Sequence, residues 1–262
     1  TFGTIWVGTY ANGLGRIVTA DSMGIKVELY DATSGLPDLF ITVLAKDRSG
    51  KVWFGTKQGG LGYIDNQSIV TLSNKSLLPK SEIRSITFDH NNQPWMGVAG
   101  RGIFQGISTA DTFKFNKFEG NVSLKSNNIY QLIFDQEDNL WVGTELGLDK
   151  VIFKQDEYQD IQHYGRNEGF LGIEATHNAV ILDHNGHLWF GTRNGLSKHK
   201  PGNTQLKTAA PKIHFTGVSL MYEPIQNTAY ADYLIAGDSL AEGSAFKYNQ
   251  NNIGFSFKAI NL

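Results

Sequence analysis

A chain of 262 residues that is 40% hydrophobic and 18% charged, with a net charge of −2, has a globular composition and no general electrostatic reason to bind nucleic acid or an anionic membrane. The absence of cysteine excludes disulfides, thiolate metal sites and cysteine catalysis, although it identifies no compartment. No run of about 18 apolar residues occurs, so no membrane-spanning helix is expected.

The N-terminus, Thr1 to Trp6, has neither a basic region nor an apolar signal-peptide core. It begins directly in strand-like sequence, as expected of a piece of a longer chain. The first element is Ile5-Trp6-Val7-Gly8-Thr9, followed by Gly13-Leu14. The same wording returns, extended by a turn, as Asp47 to Thr56 with Gly60-Leu61 and as Asp89 to Val98 with Gly102-Ile103. It returns again as Asp135 to Thr144 with Gly147-Leu148 and as Asp183 to Thr192 with Gly195-Leu196. All five tryptophans, Trp6, Trp53, Trp95, Trp141 and Trp189, fall in register, 47, 42, 46 and 48 residues apart.

Each part of the repeat has a physical role. The Asp-x-x-Gly/Asn segment suits a tight hairpin, with the carboxylate bonding nearby backbone N–H groups and the fourth residue taking φ > 0. The Trp anchors a strand through its large buried area. The glycine two residues later (Gly8, Gly55, Gly97, Gly143 and Gly191) costs stability inside a strand. It is expected to allow close approach of another backbone or a neighbouring Trp. Apolar runs such as Ile83–Phe88 and Ile129–Phe134 precede the turns and suit inner strands covered on both faces. A unit of about 45 residues holding roughly four strands is a propeller blade. The fold class is therefore all-β, with about five four-stranded blades of a partial β-propeller over residues 1–205.

The repeats Leu140-Trp141-Val142-Gly143-Thr144 and Leu188-Trp189-Phe190-Gly191-Thr192, each followed by Gly-Leu, resemble two-component regulator propeller repeats. Residues 210–262, from Ala210-Pro211-Lys212-Ile213 to the alternating Ile253, Phe255 and Phe257, resemble the first strands of the immunoglobulin-like β-sandwich that follows such propellers. The resemblance implies a periplasmic, ligand-sensing region of a membrane-anchored bacterial histidine-kinase receptor or related signalling protein. Any kinase or cyclase activity would lie in a downstream domain, and membrane attachment in flanking segments. Two departures stand out: such propellers usually carry more than five blades, often seven, and the first repeat here lacks its inner strand and Asp turn. An open arc would expose sheet edges and an apolar face, which favours self-association as a dimer.

The loops that enter the inner strands are the candidate ligand site. They carry Asp38, Phe40, Glu82, Arg84, Asn127, Asn128, Tyr130, Glu174, Thr176, His177 and Asn178. These residues vary between repeats while the framework does not, and mixed polar and aromatic groups suit a small ligand such as an oligosaccharide. His177 is the sharpest departure. It stands six residues before the turn Asp, where the other repeats have Ile41, Ile83 and Ile129. A shift of register, a hydrogen-bonded histidine and a ligand contact all remain open.

No catalytic residue, metal or cofactor is expected. His184 and His187 lie three residues apart on a turn and seldom converge on one ion. Asp135-Gln136-Glu137-Asp138-Asn139 lacks the terminal Glu of a calcium loop. Gly-x-Ser-x-Gly, P-loop and His-Glu-x-x-His motifs are missing. Two alternatives compete with ligand sensing. One is a propeller lyase, for which His177 with Glu82 or Glu174 is the available acid–base pair. The other is a propeller that only docks proteins.

Overall fold

The computed structural model describes residues 4–21, 24–72, 81–109, 113–172, 174–201, 212–235 and 239–260. The chain divides into two units, Thr1–Pro201 and Gly202–Leu262.

The first unit holds five antiparallel meanders. The first sheet is Ile5–Gly8, Leu14–Asp21 and Gly24–Tyr30. The second is Ile41–Lys46, Val52–Thr56, Leu61–Asp65 and Ser68–Thr71. The third is Ile83–Phe88, Pro94–Val98, Gly102–Ser108 and Phe113–Lys117. The fourth is Gln131–Phe134, Leu140–Thr144, Gly147–Lys154 and Glu157–Tyr164. The fifth is Ala175–Leu182, Leu188–Thr192 and Gly195–His199. The expectation of four strands per blade thus holds for the middle three sheets. The first and fifth sheets each have three strands among the described residues.

Four apolar cores lie between consecutive sheets, the arrangement of propeller blades. Trp53, Trp95 and Trp141, each covered by a following sheet, are 2%, 3% and 1% exposed. Trp6 and Trp189, on the two end sheets, are half-buried.

The repeat's chemistry is reproduced in every complete turn. One oxygen of Asp47, Asp89, Asp135 and Asp183 accepts the backbone N–H four residues on, at 2.9, 2.8, 2.9 and 2.9 Å. The other accepts the indole N–H of Trp53, Trp95, Trp141 and Trp189 at 3.0, 2.9, 2.8 and 2.9 Å. The fourth turn residue is left-handed in each case: Gly50, Asn92, Asp138 and Gly186 have φ of 93°, 59°, 59° and 77°. Asp138 departs from the Gly/Asn expectation, but a short polar side chain tolerates that backbone.

Four of the five strand glycines have a different cause from the expected Trp or backbone approach, while Gly191 faces Ala179 of its own sheet, backbone included. A Cβ on Gly55 would lie 2.7 Å from Ile83 Cβ, one on Gly97 2.8 Å from Ile129 Cβ, and one on Gly143 3.0 Å from Ala175 Cβ. A Cβ on Gly8 would meet Ile41 Cγ2 at 2.7 Å. Each of these four glycines is therefore the socket for a residue at the start of the next sheet's inner strand or just before it. The inner strands pack in succession, and Ile83–Phe88 also touches Ala175–Leu182, so those of the third, fourth and fifth sheets gather about one axis.

The second unit is described by itself. Lys212–Leu220 pairs with Ile253–Ile260 on one side and Glu223–Pro224 on the other. Val218, Leu220 and Ile225 are buried, whereas Phe215, Phe255 and Phe257 are exposed. Ala210 and Pro211 lie outside the described residues. Among the described residues no helix is long and apolar enough to cross a membrane.

Candidate functional site

Two anchor positions define each inner strand. The first sits over the preceding sheet's glycine: Ile41, Ile83, Ile129 or Ala175. The second lies opposite its own sheet's glycine: Val43, Ser85 and Gln131 in register, and Ala179, whose Cβ is 2.8 Å from a Cβ built on Gly191. One residue separates the anchors in the second, third and fourth sheets: Thr42, Arg84 and Tyr130. Three separate them in the fifth: Thr176, His177 and Asn178. In the second, third and fifth sheets the register shifts here, a bulge that re-aims side chains out of the ladder, whereas in the fourth Ile129 and Tyr130 stand just before the strand Gln131–Phe134. His177 is therefore not the counterpart of Ile41, Ile83 and Ile129. A change of register gives that role to Ala175 and leaves His177 in an enlarged bulge.

The residues between the anchors of three consecutive sheets meet. The Arg84 guanidinium carbon lies 5.0 Å from the Tyr130 ring centre. The Tyr130 and His177 rings stack at 4.9 Å with 28° between planes. Glu82 Oε2 accepts from Arg84 Nε at 2.9 Å, and Glu174 Oε2 accepts from Arg193 at 2.9 Å. The Asn178 N–H donates to the Tyr130 carbonyl at 2.8 Å. Glu174 and Asn178 hold left-handed backbones, φ 36° and 51°. Such backbone persists where the surroundings over-determine it.

Burial pushes the His177 imidazole below its ordinary range, and the Arg84 charge adds to this against the opposing pull of Glu82 and Glu174. His177 is therefore neutral at pH 7, free to stack and to accept a hydrogen bond. Glu145 Oε1 accepts from Ser126 Oγ at 2.7 Å and from Asn128 Nδ2 at 3.2 Å. Burial acts to raise the Glu145 carboxyl, but these bonds and Arg84 outweigh it and the net shift is downward.

The other candidates play different parts. Asp38 accepts the N–H groups of Phe40 at 3.0 Å and Gln58 at 2.7 Å, so it ties its loop to the second sheet's hairpin. Phe40 is 40% exposed and lies 5.3 Å from Lys57 Nζ. Asn127 lies against the third sheet's hairpin, its carbonyl accepting from Gly102 N–H at 3.1 Å. The Thr176 carbonyl accepts from Gln131 at 2.9 Å. Sequence reasoning missed Gln131, Glu145 and Arg193. The signal for Gln131 was available: it replaces the Val43 and Ser85 of neighbouring repeats. In the fifth turn, His187 Nδ1 lies 3.2 Å from Asp183 Oδ2. Among the described residues no group of three or more His, Asp or Glu suits a metal ion. Clefts of about 320 and 490 Å³ open peripherally, where the fourth and fifth and the third and fourth sheets diverge.

Residues 35–58 and 123–145 match the two-component regulator propeller family. The chain is 29% identical to histidine kinase P4 of Formosa agariphila over 97% of its own length and 18% of that protein's. It superposes with a TM-score of 0.73 and 22% identity on an extracellular domain from B. thetaiotaomicron, described as that of a hybrid two-component system. That match covers 98% of this chain and 34% of the other. Virginiamycin B lyase from Staphylococcus aureus gives a TM-score of 0.51 at 18% identity over 77% of this chain and 68% of the lyase. At such identities the structural likeness shows the fold alone. The chain spans about a fifth of the curated relative's length and about a third of the first solved one's.

Proposed function

We propose that this chain, which carries two-component regulator propeller repeats, is an extracytoplasmic ligand-sensing region of a bacterial signal-transduction receptor, and that ligand binds at the Arg84–Tyr130–His177 cluster. The observation that carries this reading is the meeting of the residues that stand between the inner-strand anchors. Three sheets with a repeated frame each project a different residue type to one place. A planar guanidinium, a phenol and a neutral imidazole supply stacking faces and hydrogen-bond donors and acceptors, the chemistry by which oligosaccharides are held. The lyase alternative needs an acid oriented on His177, but Arg84 and Arg193 hold the two nearby carboxylates in ion pairs. The second unit is read as the opening of an immunoglobulin-like sandwich.

The test is thermal shift and calorimetry with a panel of neutral and acidic oligosaccharides. A ligand at 100 times its Kd adds about 2.7 kcal/mol, which raises Tm by roughly 5–10 °C for a unit of this size. Tyr130→Ala and His177→Ala each weaken binding at least about tenfold. No shift with any sugar, or binding that survives both substitutions, would defeat the reading.

Ile5, Val7, Val27 and Leu29 share an exposed face of the first sheet. Self-association through this face is the corresponding proposal, and sedimentation velocity across a concentration series tests it. A single monomeric species at all concentrations would reject it.

A further inference from the structure

The residue opposite the strand glycine is Val43 in the second sheet, Ser85 in the third and Ala179 in the fifth, so the blade itself places little demand on that position. In the fourth sheet it is Gln131, which is fully buried. Its side chain leaves its own sheet. Nε2 lies 2.9 Å from the Thr176 carbonyl, 3.0 Å from that of Ala179 and 2.7 Å from that of Gly191. Two N–H groups thus serve three carbonyl oxygens, one in the fifth-sheet bulge, one on the anchor that ends it and one on the strand opposite. The cost is visible on the same amide, because Oε1 is buried with no hydrogen-bond partner. Room for it depends on Gly143, where a Cβ would lie 2.6 Å from Oε1. Flipping the amide would not help, since oxygen would then face three carbonyls.

The oversized bulge and the glutamine belong together. Only the fifth inner strand has three residues between its anchors, and their carbonyls cannot all be satisfied by ladder pairing. The preceding sheet supplies the missing donors. We propose that Gln131 is the positioning residue of the axial cluster: its amide, reaching from the fourth sheet into the fifth, holds the bulge in the shape that lays His177 on Tyr130. Gln131 touches neither ring in this role and acts through the backbone of residues 176–179. The proposal deepens the ligand-site reading, and its test needs no ligand, so either can fail without the other.

The variants are Gln131→Val and Gln131→Ser, which place at this position the residues already found in the second and third sheets. Both are expected to fold with unchanged Trp emission and unchanged amide exchange in Leu140–Thr144. Two local readouts should move. Exchange of the Asn178 amide, bonded to the Tyr130 carbonyl, should accelerate about tenfold or more. The His177 ring protons, followed by NMR titration, should lose the upfield shift from Tyr130, and the imidazole should titrate closer to an ordinary histidine as it leaves Arg84 and becomes hydrated. The groups facing it, Glu82, Arg84, Glu174 and Arg193, are unchanged in both variants. If Asn178 exchange and the His177 titration match wild type in both, Gln131 is not the positioning residue. If one variant fails to fold, the other decides. If both lose Leu140–Thr144 protection together with Asn178, the role is general blade packing and the proposal is overturned.

Discussion

Gly55→Ala is the most direct challenge to the socket account of the strand glycines. The new methyl would stand 2.7 Å from Ile83 Cβ and 2.8 Å from Ile83 Cγ2 on the next sheet, and 2.6 Å from Val43 Cγ1 on its own. Carbon atoms rest at about 3.5–4.0 Å, so roughly 1 Å must be found on two sides at once. The neighbours have nowhere to go: Ile83 is 0% and Val43 4% exposed, and both belong to the core shared by the second and third sheets. Overpacking of this kind costs about 1–3 kcal/mol. Alanine recovers about 0.5–1 kcal/mol of backbone propensity over glycine, so a net loss of about 1–2 kcal/mol is expected. For a unit of about 200 residues that lowers Tm by roughly 2–8 °C. Urea unfolding followed by Trp emission reads this unit selectively, because all five tryptophans lie in it. Amide exchange should also rise in Ile83–Phe88, on the far side of the interface. A neutral or stabilising Gly55→Ala would show that the glycine is not there to admit Ile83.

Asp89→Ala strands the buried Trp95 indole N–H and the Gln93 amide, and should cost about 2–4 kcal/mol by urea titration, with a red shift in Trp emission. Burial acts to raise the Asp47 carboxyl, but hydrogen bonds from Ser49, Trp53 and the backbone outweigh it, and the Trp189 indole bond is the main cause of the still lower Asp183. With both folded values below the unfolded one near 3.8, the unfolded chain takes up these protons first. The contribution of these two carboxylates should therefore hold above about pH 4 and be lost as pH drops below it, so that Tm falls steeply there, less so in Asp47→Asn. His177 and His199 are each depressed, first by burial and then by Arg84 or Lys150, so acidification below about pH 6.5 should already remove some stability. His177→Gln should flatten that earlier limb, and an unchanged slope between pH 7 and 5 would count against the stacked, neutral imidazole.

The peripheral turns were legible because their chemistry is local. An Asp, a left-handed fourth residue and a Trp six positions on form a closed hydrogen-bonded unit within one hairpin, so wording alone announces it. The period and the all-β class follow from the same wording, since each unit carries one side chain too large to bury without a neighbouring sheet. The axial site was legible only in part. Arg84, Tyr130 and His177 were picked out as residues that vary on a constant frame, and they do meet. Asp38 and Phe40 were picked out on the same grounds and instead lie against Gln58 and Lys57 of the second sheet's hairpin, because position in a repeat says which loop a residue occupies but not whether its side chain is already engaged.

What linear order alone determined is therefore the repeat: where strands begin, where they turn, and which glycines must stay bare. Tertiary packing decided which residue fills each bare glycine and how many are squeezed out of the ladder before pairing resumes. Counting back from Asp183 lands on His177, yet Ala175 takes the socket, because the fifth strand's register is settled by contacts with the fourth sheet and by the Gln131 amide arriving from it. Those contacts join residues more than 40 positions apart, and no local pattern encodes their geometry.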